Sequence, residues 1–130
     1  MPMDRSAAAM KQITPILRMF DEAKAKQFYM DFLGFRIDWE HRFEDNLPLY
    51  MQISLGECTI HLSEHHGDGC PGSALRIAMT GIRDYHAALL EKKYKFARPG
   101  LETAPWNALE CTVHDPFGNR LVFYEPVEGA

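Results

Sequence analysis

The chain contains few cysteines and no long hydrophobic run. Its 130 residues include three cysteines, Cys58, Cys70 and Cys111, and none of them forms a C-x-x-C pair. This spacing argues against a disulfide framework or a zinc ribbon, and it predicts partly buried free thiols in a cytoplasmic protein. No segment approaches the roughly 20 apolar residues of a membrane helix, and the first residues lack a signal-peptide core. We therefore expect no membrane association.

An excess of basic residues is also absent. Fourteen Lys and Arg stand against 18 Asp and Glu, which gives a formal net charge of −4 with six histidines counted as neutral. Nucleic-acid binding is disfavoured because it normally requires a basic patch. The chain contains no P-loop, dinucleotide fingerprint or Ser/His/Asp set, so kinase, Rossmann and hydrolase functions have no support. The six histidines suggest a metal site, which is considered below.

The hydrophobic pattern occurs twice, with an offset of 60 residues between Thr14 and Ala74. Each half is predicted to run strand, helix and then further strands, and neither half could bury enough surface to be stable alone. We predict an α+β fold in which residues 12–126 form one domain built from modules 12–66 and 73–126. Residues 1–11 are predicted to be a flexible leader.

In the first half, alternating or apolar segments predict strands at 13–19, 35–43, 49–55 and 58–63. Asp21 is a good helix N-cap, and Gly34 is placed where that helix should end. In the second half we predict strands at 74–80, 109–114 and 121–125, a helix at 82–94 and an extended segment at 95–98. Pro15 predicts that the first strand lies at a sheet edge.

Several short motifs resemble the vicinal oxygen chelate superfamily, which includes glyoxalase I, extradiol dioxygenases and bleomycin-resistance proteins. They are Leu17–Asp21 (LRMFD), Phe28-Tyr29, Phe32–Phe35 (FLGF) and the turn Asp115–Asn119 (DPFGN). Further matches are most similar to the bleomycin-resistance branch: Thr14–Leu17, Gly81–His86 and Pro105-Trp106 before Glu110. The resemblance implies two tandem βαβββ modules forming an open, cup-shaped mixed sheet (the glyoxalase/bleomycin resistance fold). It also implies a homodimer with ligand clefts between the two chains.

The resemblance places the superfamily's four metal-ligand positions at Thr14, His61, Ala74 and Val122. Alanine and valine have no donor atom, so we expect no metal, no cofactor and no catalytic residue. His65 and His66 do not repair the site, because residues four apart on a strand are separated by roughly 13 Å. They are interpreted as solvated loop residues. His61 could be a ligand-binding donor, a remnant of a metal site or a satisfied buried histidine.

The strand alternation predicts a cup lined by aromatic, hydroxyl, imidazole and charged groups, which suits a large, flat, polar ligand. Core packing explains Trp39 and Phe43 equally well. The predicted ligand-binding residues are Trp39, His41, Phe43, Tyr50, His61, Ser63, Arg76, Trp106, Glu110, Arg120 and Tyr124.

These features favour a bleomycin-resistance-like binding protein, and hence antibiotic resistance by sequestration of a glycopeptide antibiotic or similar small molecule in a dimer cleft without catalysis. Acids expected near the mouth would attract a cationic drug, or they form an ordinary solvated surface. These acids are Glu40, Glu44, Asp45, Glu64 and Asp68. The first alternative is a metal-dependent glyoxalase-type lyase, isomerase or dioxygenase, and the second is a small-molecule carrier or stress protein.

Overall fold

The protein is represented by a computed structural model that describes residues 7–127. Module 1 contains β1 (Ile16–Arg18), α1 (Glu22–Lys26) continued as a π-helix (Gln27–Phe32), β2 (Arg36–His41), β3 (Tyr50–Leu55) and β4 (Cys58–Ser63). Module 2 contains β5 (Ala74–Ala78), α2 (Ile82–Glu91), β6 (Leu101–Ala104), β7 (Ala108–His114) and β8 (Arg120–Pro126).

Each module forms its own four-stranded mixed sheet. The strand orders are β1-β4-β3-β2 and β5-β8-β7-β6, with the first strand of each module parallel to the last. The predicted α+β fold of two tandem βαβββ modules is confirmed. Met19 and Met79 donate backbone hydrogen bonds to the carbonyls of Ser63 and Tyr124, so the repeat is also present in the structure, with an offset of 60 residues at the first strand and 61 at the last.

The first helix begins and ends where its sequence predicts. The Asp21 carboxylate accepts a hydrogen bond from the Lys24 backbone N–H at 2.9 Å, which caps the helix. Gly34 ends it with φ +93°, a left-handed conformation that glycine adopts without steric cost. The apolar face, which includes Phe28 and Phe32, is fully buried in a core that both modules share.

The turn between β7 and β8 joins module 2 to module 1. Tyr29 donates from its hydroxyl to the Asp115 carboxylate at 2.7 Å, across 86 residues of sequence. The same carboxylate accepts from the backbone N–H groups of Phe117 and Asn119. The Asn119 side chain then donates to the Arg18 carbonyl of β1. The DPFGN motif is therefore a structural connector between modules.

Some sequence predictions need correction. An extended segment was predicted at 95–98, but Lys95 and Phe96 lie in a turn, and strand β6 follows at Leu101–Ala104. Helix α2 ends at Glu91 instead of Tyr94. Cys70 is exposed, although partial burial was predicted. Residues 1–6 of the predicted leader lie outside the described residues. Neither helix in the described part of the chain is long and apolar enough to cross a lipid bilayer.

Candidate functional site

Each sheet buries one surface against the helices and leaves the other open. In β4, Ile60 and Leu62 are fully buried, while His61 points to the opposite side. The open surfaces are defined here as two sets of side chains. The module-1 face comprises Asp38, Trp39, Tyr50, Gln52, Ser54, Thr59 and His61, and the module-2 face comprises Arg76, Trp106, Glu110, Val122 and Tyr124.

The His61 ring is held by hydrogen bonds on both nitrogens. Its Nε2 lies 3.0 Å from Oε1 of Gln52, which only accepts, so Nε2 carries the hydrogen. Its Nδ1 lies 2.6 Å from the Tyr50 hydroxyl and accepts from it. Burial lowers the pKa of His61 below its ordinary value of 6.5, which favours this neutral form. His61 is therefore a hydrogen-bonded, partly buried histidine.

The residues at the superfamily's metal positions do not fit a metal ion. Both His61 nitrogens are engaged, Thr14 is exposed ahead of β1, and Ala74 offers no donor. Val122 is buried on the module-2 face and offers none either. Across residues 7–127, no group of three or more His, Cys, Asp or Glu side chains is placed to hold a metal.

A bulge in β2 determines which side chains join the module-1 face. Ile37 lies opposite Ile53 and Trp39 opposite Gln52, so Asp38 is an extra residue in the strand. The uninterrupted alternation predicted for 35–43 is therefore wrong, because Phe35 is buried in the core whereas Trp39 turns to the open face.

Trp39 forms an aromatic platform with its neighbours on the module-1 face. Its ring is stacked on Tyr50 with centroids 6.0 Å apart and planes at 12°, and it meets the His61 ring edge-on at 5.3 Å. Trp39 remains 42% exposed and Phe43 73% exposed. The alternative of core packing is thus excluded for both residues within this chain.

The module-2 face contains an arginine held between aromatic rings. The Arg76 guanidinium carbon lies 4.4 Å from the Tyr124 ring centre and 5.9 Å from that of Trp106. Glu110 Oε2 accepts from Arg76 at 3.0 Å and from the Trp106 indole N–H at 2.8 Å. Glu110 thereby holds an exposed loop tryptophan in a defined position.

The other predicted ligand-binding residues have different surroundings. His41 and Phe43 are exposed with ring centres 4.9 Å apart, and Arg120 is exposed at the start of β8. Ser63 is fully buried; its hydroxyl donates to Asp68 and accepts from the His65 backbone N–H. The Ser63 side chain therefore stabilises the loop after β4.

Most of the acids predicted near the mouth have structural partners. Glu40 pairs with Lys26 at 2.7 Å, Glu64 accepts from the Leu49 backbone N–H, and Asp68 accepts from Ser63. Lys26 offsets the charge of Glu40, and Arg42 lies 3.8 Å from Glu64, so charge steering by these two acids is weakened, whereas the neutral Ser63 hydroxyl leaves the charge of Asp68 in place. Glu44 and Asp45 lie in the exposed loop between β2 and β3.

Sequence reasoning missed two charged residues near the module-1 face. Asp38 hydrogen-bonds to Gln52 and Ser54 on the side of the sheet where Arg36 also lies, and the bulge brings Trp39 to that same side. Arg18 has a buried Nε with no acceptor among the described residues, and its guanidinium lies 4.8 Å from the centre of the Phe20 ring. No pattern in the sequence marked either side chain.

Two grooves adjoin the faces. One of about 640 Å³ is polar and lies beside the module-1 face, lined by residues that include Arg36, Asp38, Gln52 and Ser54. The other, of about 1100 Å³, is more apolar and lies between the two modules of the chain, lined by residues that include Ile13, Thr59, Arg76 and Ala78. Only the smaller groove shares the hydrogen-bond network of His61.

Comparison with known proteins agrees with this architecture. A glyoxalase-related enzyme from Clostridium phytofermentans superimposes with a TM-score of 0.71 at 20% identity, covering 92% of this chain and 98% of that one. A bleomycin-binding protein in complex with bleomycin gives 0.67 at 18% identity, covering 89% and 98%. TnmS3, an antibiotic-binding protein from a Streptomyces species, gives 0.68 at 17% identity, covering 92% and 98%.

At these identities, the structural neighbours establish the fold alone. A search of curated proteins finds no match. A family profile described as "Glyoxalase superfamily protein" matches residues 4–130, nearly the whole chain. The protein therefore belongs to the glyoxalase superfamily.

Proposed function

We propose that this protein binds a bleomycin-type glycopeptide antibiotic, or a similar small molecule, and sequesters it without chemical change. The observation that carries the proposal is the pair of open aromatic faces, one centred on Trp39 and Tyr50 and the other on Trp106 and Tyr124. Exposed aromatic rings with a few fixed polar groups suit a large, flat, polar ligand.

The proposed cleft lies between two copies of the chain. Within residues 7–127, the hydrogen bonds and ring contacts of each defined face stay inside its own module. Thr59 and Arg76 line one groove within the chain, but the aromatic rings of the two faces do not line it, so a second wall could complete each group of rings. A symmetric dimer would supply it by setting the module-1 face of one copy against the module-2 face of the other.

Sequestration requires affinity and no activated group, which agrees with the chemistry of both faces. A glyoxalase-type lyase, isomerase or dioxygenase would need a metal ion to polarise a substrate oxygen. His61 is engaged on both nitrogens, and Ala74 and Val122 have no donor. The lack of free metal-ligating atoms at these positions thus favours ligand binding over metal-dependent catalysis.

Titration calorimetry with metal-free and copper-loaded bleomycin tests the proposal. We expect saturable heat at micromolar protein, lost in the Trp39→Ala and Trp106→Ala variants. Phe96→Ala is the control, because Phe96 is an aromatic residue outside both faces that is at least as exposed as either tryptophan. Mass spectrometry should recover the drug unchanged. Absence of heat at tens of micromolar protein, or a modified drug, would overturn the proposal.

A further inference from the structure

We propose that the bulge in β2 builds a subsite for an organic cation on the module-1 face, formed by the Asp38 carboxylate and the Trp39 ring. This subsite would define the ligand chemistry of one face of the proposed binding site. It rests on the proposed function only because it treats the module-1 face as a binding surface. Without the extra residue, neighbours in a strand would point to opposite sides of the sheet.

Two chains of hydrogen bonds converge on the Asp38 carboxylate. In the first, Tyr50 donates to His61, and His61 donates to the Gln52 carbonyl oxygen. The Gln52 amide then donates to Asp38 Oδ2 at 3.0 Å. In the second, Arg36 donates to the Ser54 hydroxyl, which donates to Asp38 Oδ1 at 3.0 Å. Both chains therefore end on the same acceptor.

The directions of these hydrogen bonds determine which donor and acceptor groups remain free for a ligand. The Tyr50 and Ser54 hydroxyl hydrogens and the His61 Nε2 hydrogen are already used within the chain. The hydrogen bonds from Gln52 and Ser54 also lower the pKa of Asp38 below its ordinary value of 3.8, so the carboxylate is ionised at neutral pH. The Asp38 carboxylate is therefore complementary to a ligand group that brings N–H donors and positive charge.

Trp39 adds the second half of a cation site. An indole face attracts an organic cation, most strongly when an anion lies close by. The polar groove of about 640 Å³ is lined by Asp38 and Gln52 and not by Trp39, which lies opposite Gln52, so a substituted ring would contact the indole from the Gln52 end of this groove. Arg36 and Glu57 are the other charged groups lining this groove. Arg36 is 3.4 Å from Asp38 with its side chain 80% exposed, a surface ion pair too weak to close the groove.

Module 2 contains a similar arrangement, in which a carboxylate and an aromatic ring surround a cation. There a carboxylate, Glu110, and an aromatic ring, Tyr124, hold a cation of the chain itself, Arg76. Arg76 lies opposite Val122, as Ile16 lies opposite His61, so Ile16 is its module-1 equivalent. Isoleucine carries no charge. The module-1 face thus combines a carboxylate with aromatic rings but lacks the cation that module 2 supplies at this position.

Benzamidinium and benzamide form a matched pair of probes, because both are planar and only the first is cationic. The readout is the indole N–H resonance of Trp39 in ¹H–¹⁵N NMR spectra of the full chain, assigned with Trp39→Phe. We expect benzamidinium to shift this resonance saturably and to bind about fivefold or more tightly than benzamide. Equal binding of the two probes, or shifts centred on Trp106, would overturn the subsite.

Asp38→Asn should abolish the preference for benzamidinium, because asparagine keeps the size and an acceptor oxygen but removes the charge. Glu57→Gln is the control, since it removes another acid from the same groove. A preference that survives Asp38→Asn, or that is lost equally in Glu57→Gln, would contradict the assignment. If Asp38→Asn does not fold, the probe comparison in the unaltered protein decides alone. A negative bleomycin titration leaves this result intact, so the two proposals fail separately.

Discussion

His61 and Val122 occupy equivalent positions in the two modules. His61 lies opposite Ile16 in the parallel pair β1–β4, and Val122 lies opposite Arg76 in the parallel pair β5–β8. The repeat therefore places an imidazole and an isopropyl group at corresponding points of the two open faces. The superfamily's metal positions thus offer a single nitrogen ligand, whose lone pair already accepts a hydrogen bond.

The first prediction is that no divalent ion is retained at these positions. Elemental analysis of the purified protein should find Ni, Zn, Mn and Fe far below one equivalent, and a chelator should leave the thermal unfolding midpoint unchanged. The His61→Ala variant should give the same metal content. A near-stoichiometric ion that disappears in His61→Ala would contradict the prediction and favour the metal-dependent enzyme.

The second prediction concerns the contact between Tyr29 and Asp115. Tyr29→Phe should lower the free energy of unfolding by about 1.5–3 kcal/mol, because a buried carboxylate loses one of its donors. Urea unfolding followed by circular dichroism measures the change. Tyr124→Phe is the control; its hydroxyl has no hydrogen-bond partner among the described residues, so the effect should be within about 0.5 kcal/mol. Equal effects in both variants would show that the connection between the modules does not depend on this hydrogen bond.

The sequence alone correctly predicted the elements that depend on residues close to one another along the chain. Asp21 and Gly34 bound the first helix, and the buried Ile60 and Leu62 alternate with Thr59 and His61 as period 2 requires. These features depend on residues within a few positions of one another, so propensity and periodicity suffice. The repeat also predicted β5, α2, β7 and β8 of module 2 in their observed order along the chain.

Other features depend on pairing between distant segments and left no local signal. The β2 bulge at Asp38 is a property of its register with β3, and it changes which residues reach the open face. Strand β6 is four residues long and is held by β7, so its pattern was too short to recognise. Glu40 and Glu64 looked like solvated acids because their partners, Lys26 and Leu49, are distant in sequence.

The third prediction is a loss of stability at alkaline pH caused by Cys111. Burial raises the pKa of the Cys111 thiol from 9.0 to about 11. Between these values, the unfolded chain releases this proton while the folded chain keeps it, so stability is full below pH 9 and falls as pH rises towards 11. The free energy of unfolding, measured by urea titration, should therefore be lower at pH 10.5 than at pH 8.

The buried tyrosines should also lower the free energy of unfolding at alkaline pH, so variants are needed to distinguish their effect from that of Cys111. Cys111→Ala should be less stable at both pH values but show a smaller decrease between them. Cys70→Ser is the matched control, because Cys70 is exposed and its loss should leave the decrease unchanged. An identical decrease in the Cys111→Ala protein would mean that this thiol does not titrate differently in the folded and unfolded chains.

The fourth prediction tests whether each ligand cleft combines faces from two copies of the chain. Trp39→Ala and Trp106→Ala should each abolish ligand binding with little effect on stability, since both rings are exposed. In a heterodimer of the two variants, one cleft lacks both tryptophans and the other contains both. Unfolding and refolding the variants together should therefore restore about one intact cleft in four, because half of the dimers are mixed.

Bleomycin titrations of the refolded mixture measure this recovery against the refolded single variants. If each cleft were built inside one chain, every chain in the mixture would still lack one tryptophan, and no binding would return. Phe96→Ala refolded with unaltered chain controls for losses during refolding, because Phe96 lies outside both faces. Recovery to wild-type affinity at the expected fraction of sites would identify Trp39 of one copy and Trp106 of the other as walls of a single cleft. Failure to recover, with dimers present by light scattering, would require both walls to come from the same chain.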